Sequence, residues 1–175
     1  MLDVKTPLSK IHRLARKVDP SAVTAEPGSW ISIQTGSAVN LVGATNATQQ
    51  PILKMVLGNA SSNQYESNDI EVGRLATIEG VFRATVDTDG YQKYVGGTGT
   101  QTLSTAVTYT EGADLSVAYK TTSATATSAA GISPAGDIGK LMPATTGNIV
   151  VGRVETHDST NSTLTFETVT PHIKA

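Results

Sequence analysis

Gly139-Lys140, the pair Asp87 and Asp89, and three histidines are the residues whose types and spacing invite chemistry in this chain. A phosphate loop needs a glycine five positions before the Gly-Lys pair and a Ser or Thr after it. Pro134 and Leu141 stand at those places. "GGTGTQT", from Gly96, lacks the third glycine of a dinucleotide-binding turn. Asp87 and Asp89 in "DTDGY" start like a calcium loop, but the run of oxygen ligands and the closing Glu are absent, and a tight turn explains them. His12, His157 and His172 have no partner at metal or triad spacing. Asn46, Asn59 and Asn161 open Asn-x-Ser/Thr triplets, which carry little weight in a chain with 26 Thr and 15 Ser. No nucleophile, carboxylate pair or ligand set emerges, so the expectation is a non-enzyme without cofactor or metal.

Interaction chemistry is more visible. Residues 1–20 carry five Lys and Arg against two acids, whereas 21–175 carry eight against thirteen. The positive charge concentrates in "LSKIHRLARKVDP", residues 8–20. At about 100° per residue, Ile11, Leu14, Ala15 and Val18 share one arc and Lys10, Arg13, Arg16 and Lys17 the other, with Ser9 as N-cap. The spacing predicts a short amphipathic helix. Such a helix of roughly ten residues is marginal alone in water, so it needs a surface. Its own domain, nucleic acid, a membrane or an acidic protein would each supply one. The footprint is narrow for phosphates, and Leu, Ile and Val without Trp or Phe anchor poorly in lipid. No nucleic-acid or membrane partner is expected, which leaves its own domain or an acidic protein surface, the latter contacted by Lys5, Lys10, Ile11, Arg13, Leu14, Arg16, Lys17 and Val18.

The rest must form the body. "DPSAVTAEPGS" reads as an extended linker, which divides the chain into an arm and linker, 1–29, and a body, 30–175. Aromatics are only 5% and there are 16 Gly, so many short Thr-rich strands are favoured over packed helices. The fold class expected is all-β, a small β-barrel or β-sandwich with an N-terminal arm. Residues 70–86 read as the best barrel-forming stretch, with Gly73 and Gly80 as bulges or corners. Hairpins are predicted at 86–91, at 103–122 around "EGAD", and at 148–171 around "STNS" with Leu164, Phe166 and Val169 as apolar markers. The tract "SATATSAAGISPAG" reads as a surface excursion. Without cysteines, stability must come from packing or assembly. No signal-peptide core or long apolar run is visible, and synthesis in a cytoplasm is expected.

"AGDIGKLMPATTGNIVVGRVE", residues 135–155, resembles the capsid decoration, or cement, proteins of tailed bacteriophages. Their pattern is a Gly-Asp turn, a strand, a small-residue turn and an apolar strand ending in Gly-x-Val or Gly-x-Ala. Gly136, Asp137, Lys140, Pro143, Ala144, Gly147, Val150, Gly152 and Val154 match it in order. "PGSWISIQTGSAVNLVGATN" resembles the opening strand pair of such proteins. Hairpins and the Ser/Ala/Thr tract over 85–135 depart from the smaller members. The resemblance implies a structural virion protein on the outer capsid surface that cements neighbouring major capsid protein subunits against the pressure of packaged DNA. It also implies a homo-oligomer, trimer favoured and dimer possible, whose arm lies on coat protein or on a sister subunit. The alternative is a tail-tube or fibre-associated β domain, or a glycan-binding module.

Overall fold

A computed structural model describes residues 2–7, 10, 12–17, 27–34, 37–39, 53–56, 74–95, 105–120, 126–128, 131–133 and 139–175. These residues are all-β. A six-stranded antiparallel sheet contains, from edge to edge, β1 (Leu2–Val4), β7 (Arg83–Val86), β16 (Thr163–Ile173), β15 (Ile149–Asp158), β10 (Asp114–Val117) and β14 (Leu141–Pro143). A five-stranded sheet runs β2 (His12–Lys17), β6 (Arg74–Glu79), β5 (Leu53–Val56), β3 (Trp30–Gln34), β4 (Ser37–Val39). Two small sheets complete the set: β11 (Tyr119–Lys120), β12 (Ala126–Ser128) and β13 (Gly131–Ser133), and the pair β8 (Tyr94–Val95) and β9 (Thr105–Ala106). The six-stranded sheet is open, with β1 and β14 at its two ends.

The hairpin predicted at 148–171 is the longest ladder, β15 with β16. The Asp158 carboxylate accepts the N–H groups of Thr160 and Asn161, each at 2.9 Å, and Ser162 takes the left-handed conformation that closes the turn. Val154, Leu164 and Phe166 alternate into the core, while Val169 is only half-buried. The reason is a bulge: Gly152 faces Thr168 but Val150 faces His172, so β16 takes four steps where β15 takes two.

Gly80 is the expected corner. With φ 109°, it turns the chain from β6 in one sheet to β7 in the other. One apolar cluster consequently draws on both sheets, with Trp30, Met55 and Ile78 from the five-stranded one and Val86, Leu115, Val154 and Phe166 from the six-stranded one.

Three expectations are corrected. Residues 12–17 form a strand, not the amphipathic helix. A helix this short gains little by itself, whereas β6 offers a ladder from His12↔Glu79 to Lys17↔Arg74 that satisfies main-chain groups. Second, Asp87 O accepts Gly90 N–H at 2.9 Å, yet Tyr91 bridges Leu141 rather than Val86. Val86 already lies between Leu2 and Leu164, so no hairpin partner fits beside it. Third, the arms predicted around "EGAD" part company: 105–106 pair with β8, and 114–117 pair with β14 and β15. The Ser/Ala/Thr excursion includes β12 and β13, while Gly73 lies outside the described residues.

Candidate functional site

Of the docking residues expected near the N-terminus, Ile11 and Val18 lie outside the described residues. Lys5 is exposed, pairs with Asp3, and donates its N–H to Arg83 O at 2.8 Å. Lys10 is exposed in a tight turn closed by its N–H to Pro7 O, also at 2.8 Å. Arg13, Leu14, Arg16 and Lys17 belong to β2, an edge of the five-stranded sheet. Residues 2–4 and 12–17 thus each join a ladder of the body. The register sets Lys17 opposite Arg74, so the basic end of β2 adjoins another cation in sequence.

The motif residues from Lys140 to Val154 form a strand, a turn and a strand, while Gly136 and Asp137 lie outside the described residues. The two strands are not neighbours. β10 lies between them, with Leu115 paired to Pro143 on one side and to Gly152 on the other. Half-buried Lys140 precedes β14, and its carbonyl accepts Ala118 N–H at 2.8 Å. Ala144 is buried, and its N–H reaches Asp114 O at 2.9 Å. Asn148 Oδ1 accepts both the N–H and the hydroxyl of Thr145 at 3.0 Å, and Gly147 supplies φ 84°. Lys174 secures the turn from outside. Its N–H donates to Asn148 O, its carbonyl accepts from Gly147, and its Nζ reaches Ala144 O at 3.0 Å and Asp114 at 3.4 Å. Arg153 also meets Asp114, at 3.3 Å. Val150, Gly152 and Val154 are all buried in β15.

His157 sits against two tyrosines, with ring centroids 5.5 Å from Tyr91 and 5.1 Å from Tyr109. Tyr91 and Tyr109 meet edge to face at 5.4 Å. The Tyr109 hydroxyl lies 2.7 Å from Gln92 O and 3.0 Å from Leu141 O, its one proton serving one carbonyl at a time. Burial lowers the His157 pKa against the opposing field of Asp158. Burial, with the carboxylates of Asp87 and Asp158, raises that of the Tyr91 phenol. Both shifts favour the neutral forms, an uncharged imidazole and an un-ionised phenol. Asp158 is held below the usual carboxylate range by the Asn161 N–H and side chain. His12 is exposed, and His172 Nδ1 lies 3.0 Å from Thr170 O. Among the described residues no three of His, Asp and Glu gather as a metal site, and no helix is long and apolar enough to cross a membrane.

Sequence reasoning missed a cleft of about 190 Å³ where the β16 bulge leaves the Gly80 corner. Trp30, Ile78, Val81, Phe82, Val151 and Pro171 are among its walls. Thr168 holds it open at the back: its Oγ1 accepts Phe82 N–H at 2.8 Å and lies 3.1 Å from Gly80 O. Trp30 is 6% exposed, and its buried Nε1 has no hydrogen-bond partner among the described residues. No local signal marks this site, because its walls come from distant parts of the chain.

No family model, curated protein or solved structure matches the chain.

Proposed function

We propose that this chain is a capsid decoration protein, a structural virion component that lies on the outer surface of a phage head and cements adjacent major capsid protein subunits. The observation that carries the reading is the run 140–154, whose resemblance to such proteins coincides with a latched strand, turn and strand spanning β10. The two large sheets, sharing one apolar cluster, are read as a β-sandwich whose broad faces and loops offer contact area. The basic residues Arg13, Arg16 and Lys17 then act from an edge strand rather than a helix, with Lys10 in the turn before it, toward acidic coat protein. The glycan-binding alternative gains nothing from Trp30, the one Trp, which is buried and offers no stacking platform.

Co-sedimentation with heads of the encoding virus that lack decoration tests this. Saturable binding that stabilises heads against heat is expected, with a charge-reversed variant of Lys10, Arg13, Arg16 and Lys17 binding at least about tenfold more weakly. A folded wild-type protein that ignores the heads would sink the proposal.

A further inference from the structure

We infer that the cleft beside Trp30 receives one bulky apolar side chain, a leucine, isoleucine or phenylalanine, from an acidic extended segment of a partner protein. The inference rests on the decoration reading for the partner's identity, coat protein, and adds to it an apolar anchor and its spacing from the carboxylates. Size sets the occupant. The cleft offers about 190 Å³, and an apolar cavity of about 150 Å³ accepts a benzene ring, so one such side chain fills it. The walls set its polarity. Trp30, Ile78, Phe82 and Val151 are buried, Val81 is 56% exposed, and Glu79 is the one ionisable residue among them. A carboxylate inside would meet Glu79, so the inserted group is apolar and the partner's acids stay outside.

The register joins this cleft to the basic edge strand. Two of its wall residues, Ile78 and Glu79, stand opposite Arg13 and His12 in the β2–β6 ladder. From Arg13 the strand continues to Arg16 and Lys17, opposite Leu75 and Arg74. At about 3.3 Å per residue these cations extend about 13 Å from the cleft end of the ladder. A segment with its apolar residue in the cleft therefore meets them with acids up to about four extended residues away. The cations steer the encounter. The filled cleft supplies most of the discrimination, because one buried side chain in a pocket carries more energy than the exposed ion pairs around it. Isolated exposed apolar side chains are ordinary, but Val81 on the wall of an apolar hole beside a basic strand is not isolated.

A heptapeptide with leucine at its centre and acidic residues elsewhere probes the cleft without assuming a chain direction. Emission of Trp30, the one Trp, reports filling of the cleft it lines. A saturable change is expected, with the leucine peptide binding the full chain at least about tenfold more tightly than its alanine-centred counterpart, the factor that burying a leucine supplies. Raised salt is expected to weaken both peptides alike, since they carry the same charges. Val81→Asp, at an exposed position and checked for folding by circular dichroism, is expected to remove the leucine advantage. Equal binding of the two peptides by the wild type overturns the inference. So does a Val81→Asp protein that keeps the full leucine advantage, or a wild-type dimer in ultracentrifugation that Val81→Asp takes apart, which would assign the cleft to a second copy. Co-sedimentation with heads separates this inference from the decoration reading. Leucine-selective binding by a protein that ignores heads upholds the cleft and sinks that reading, whereas head binding unchanged by Val81→Asp, with no response of Trp30, sinks the cleft alone.

Discussion

Gly139 and Trp30 meet main chain to main chain. Trp30 N–H donates to Gly139 O at 2.7 Å, and a Cβ on Gly139 would lie 2.6 Å from Trp30 O. With φ 87° the position is also left-handed. Gly139→Ala is therefore expected to cost about 3 kcal/mol in urea denaturation, combining backbone strain with displacement of β3. Gly112→Ala, also left-handed but with open space around it, is expected to cost only about 1 kcal/mol. Equal losses would show that the close approach is not what restricts residue 139.

The hydroxyl of Thr168 holds the Gly80 corner against β16. Thr168→Val keeps the shape and removes the acceptor of a buried N–H. Its expected cost is about 1–3 kcal/mol in thermal or urea unfolding, with Thr168→Ser close to wild type.

Because Ala15 and Ala76 are register partners and the chain has no cysteine, Ala15→Cys with Ala76→Cys tests strand against helix for the basic segment. Directly opposed residues have Cα atoms about 4.5–5.5 Å apart, within disulfide range. Oxidation is expected to form the bond nearly completely and to stabilise the protein by up to about 4 kcal/mol. A cross-link that forms only after denaturation would overturn the register.

His157, favoured neutral by burial, makes stability depend on mild acid. Above its ordinary pKa of 6.5 both folded and unfolded forms are neutral and the contribution is whole. As pH falls below 6.5 toward the lower folded value, the unfolded chain binds the proton first and stability drops. His157→Phe is expected to flatten that part of the curve. Asp158 acts lower: its depressed pKa makes stability decline as pH falls below 3.8, and Asp158→Asn is expected to remove that slope.

Legibility in the sequence followed locality. The β15–β16 hairpin is readable because its alternation and turn lie in one stretch, and Gly80 because a corner between apolar strands calls for glycine. Partner choice is not readable this way. The alternating arms at 105–117 suit a hairpin equally well, yet Tyr94 and Val95 take one and β14 and β15 the other. Over residues 12–17 the helical spacing spans too few turns to outweigh pairing with β6. The Trp30 cleft joins residues up to 141 positions apart, from Trp30 to Pro171, so no window on the sequence contains it.

The place of β16 also sets a timetable for synthesis. It lies between β7 and β15, at the centre of the six-stranded sheet, yet residues 163–173 leave the ribosome after the other five strands. Until then β7 and β15 lack the neighbour that joins them, and the apolar faces of Val86 and Val154 stay unmatched. Assembly of this sheet is thus a late event, governed by long-range pairing and slow for a chain of this size.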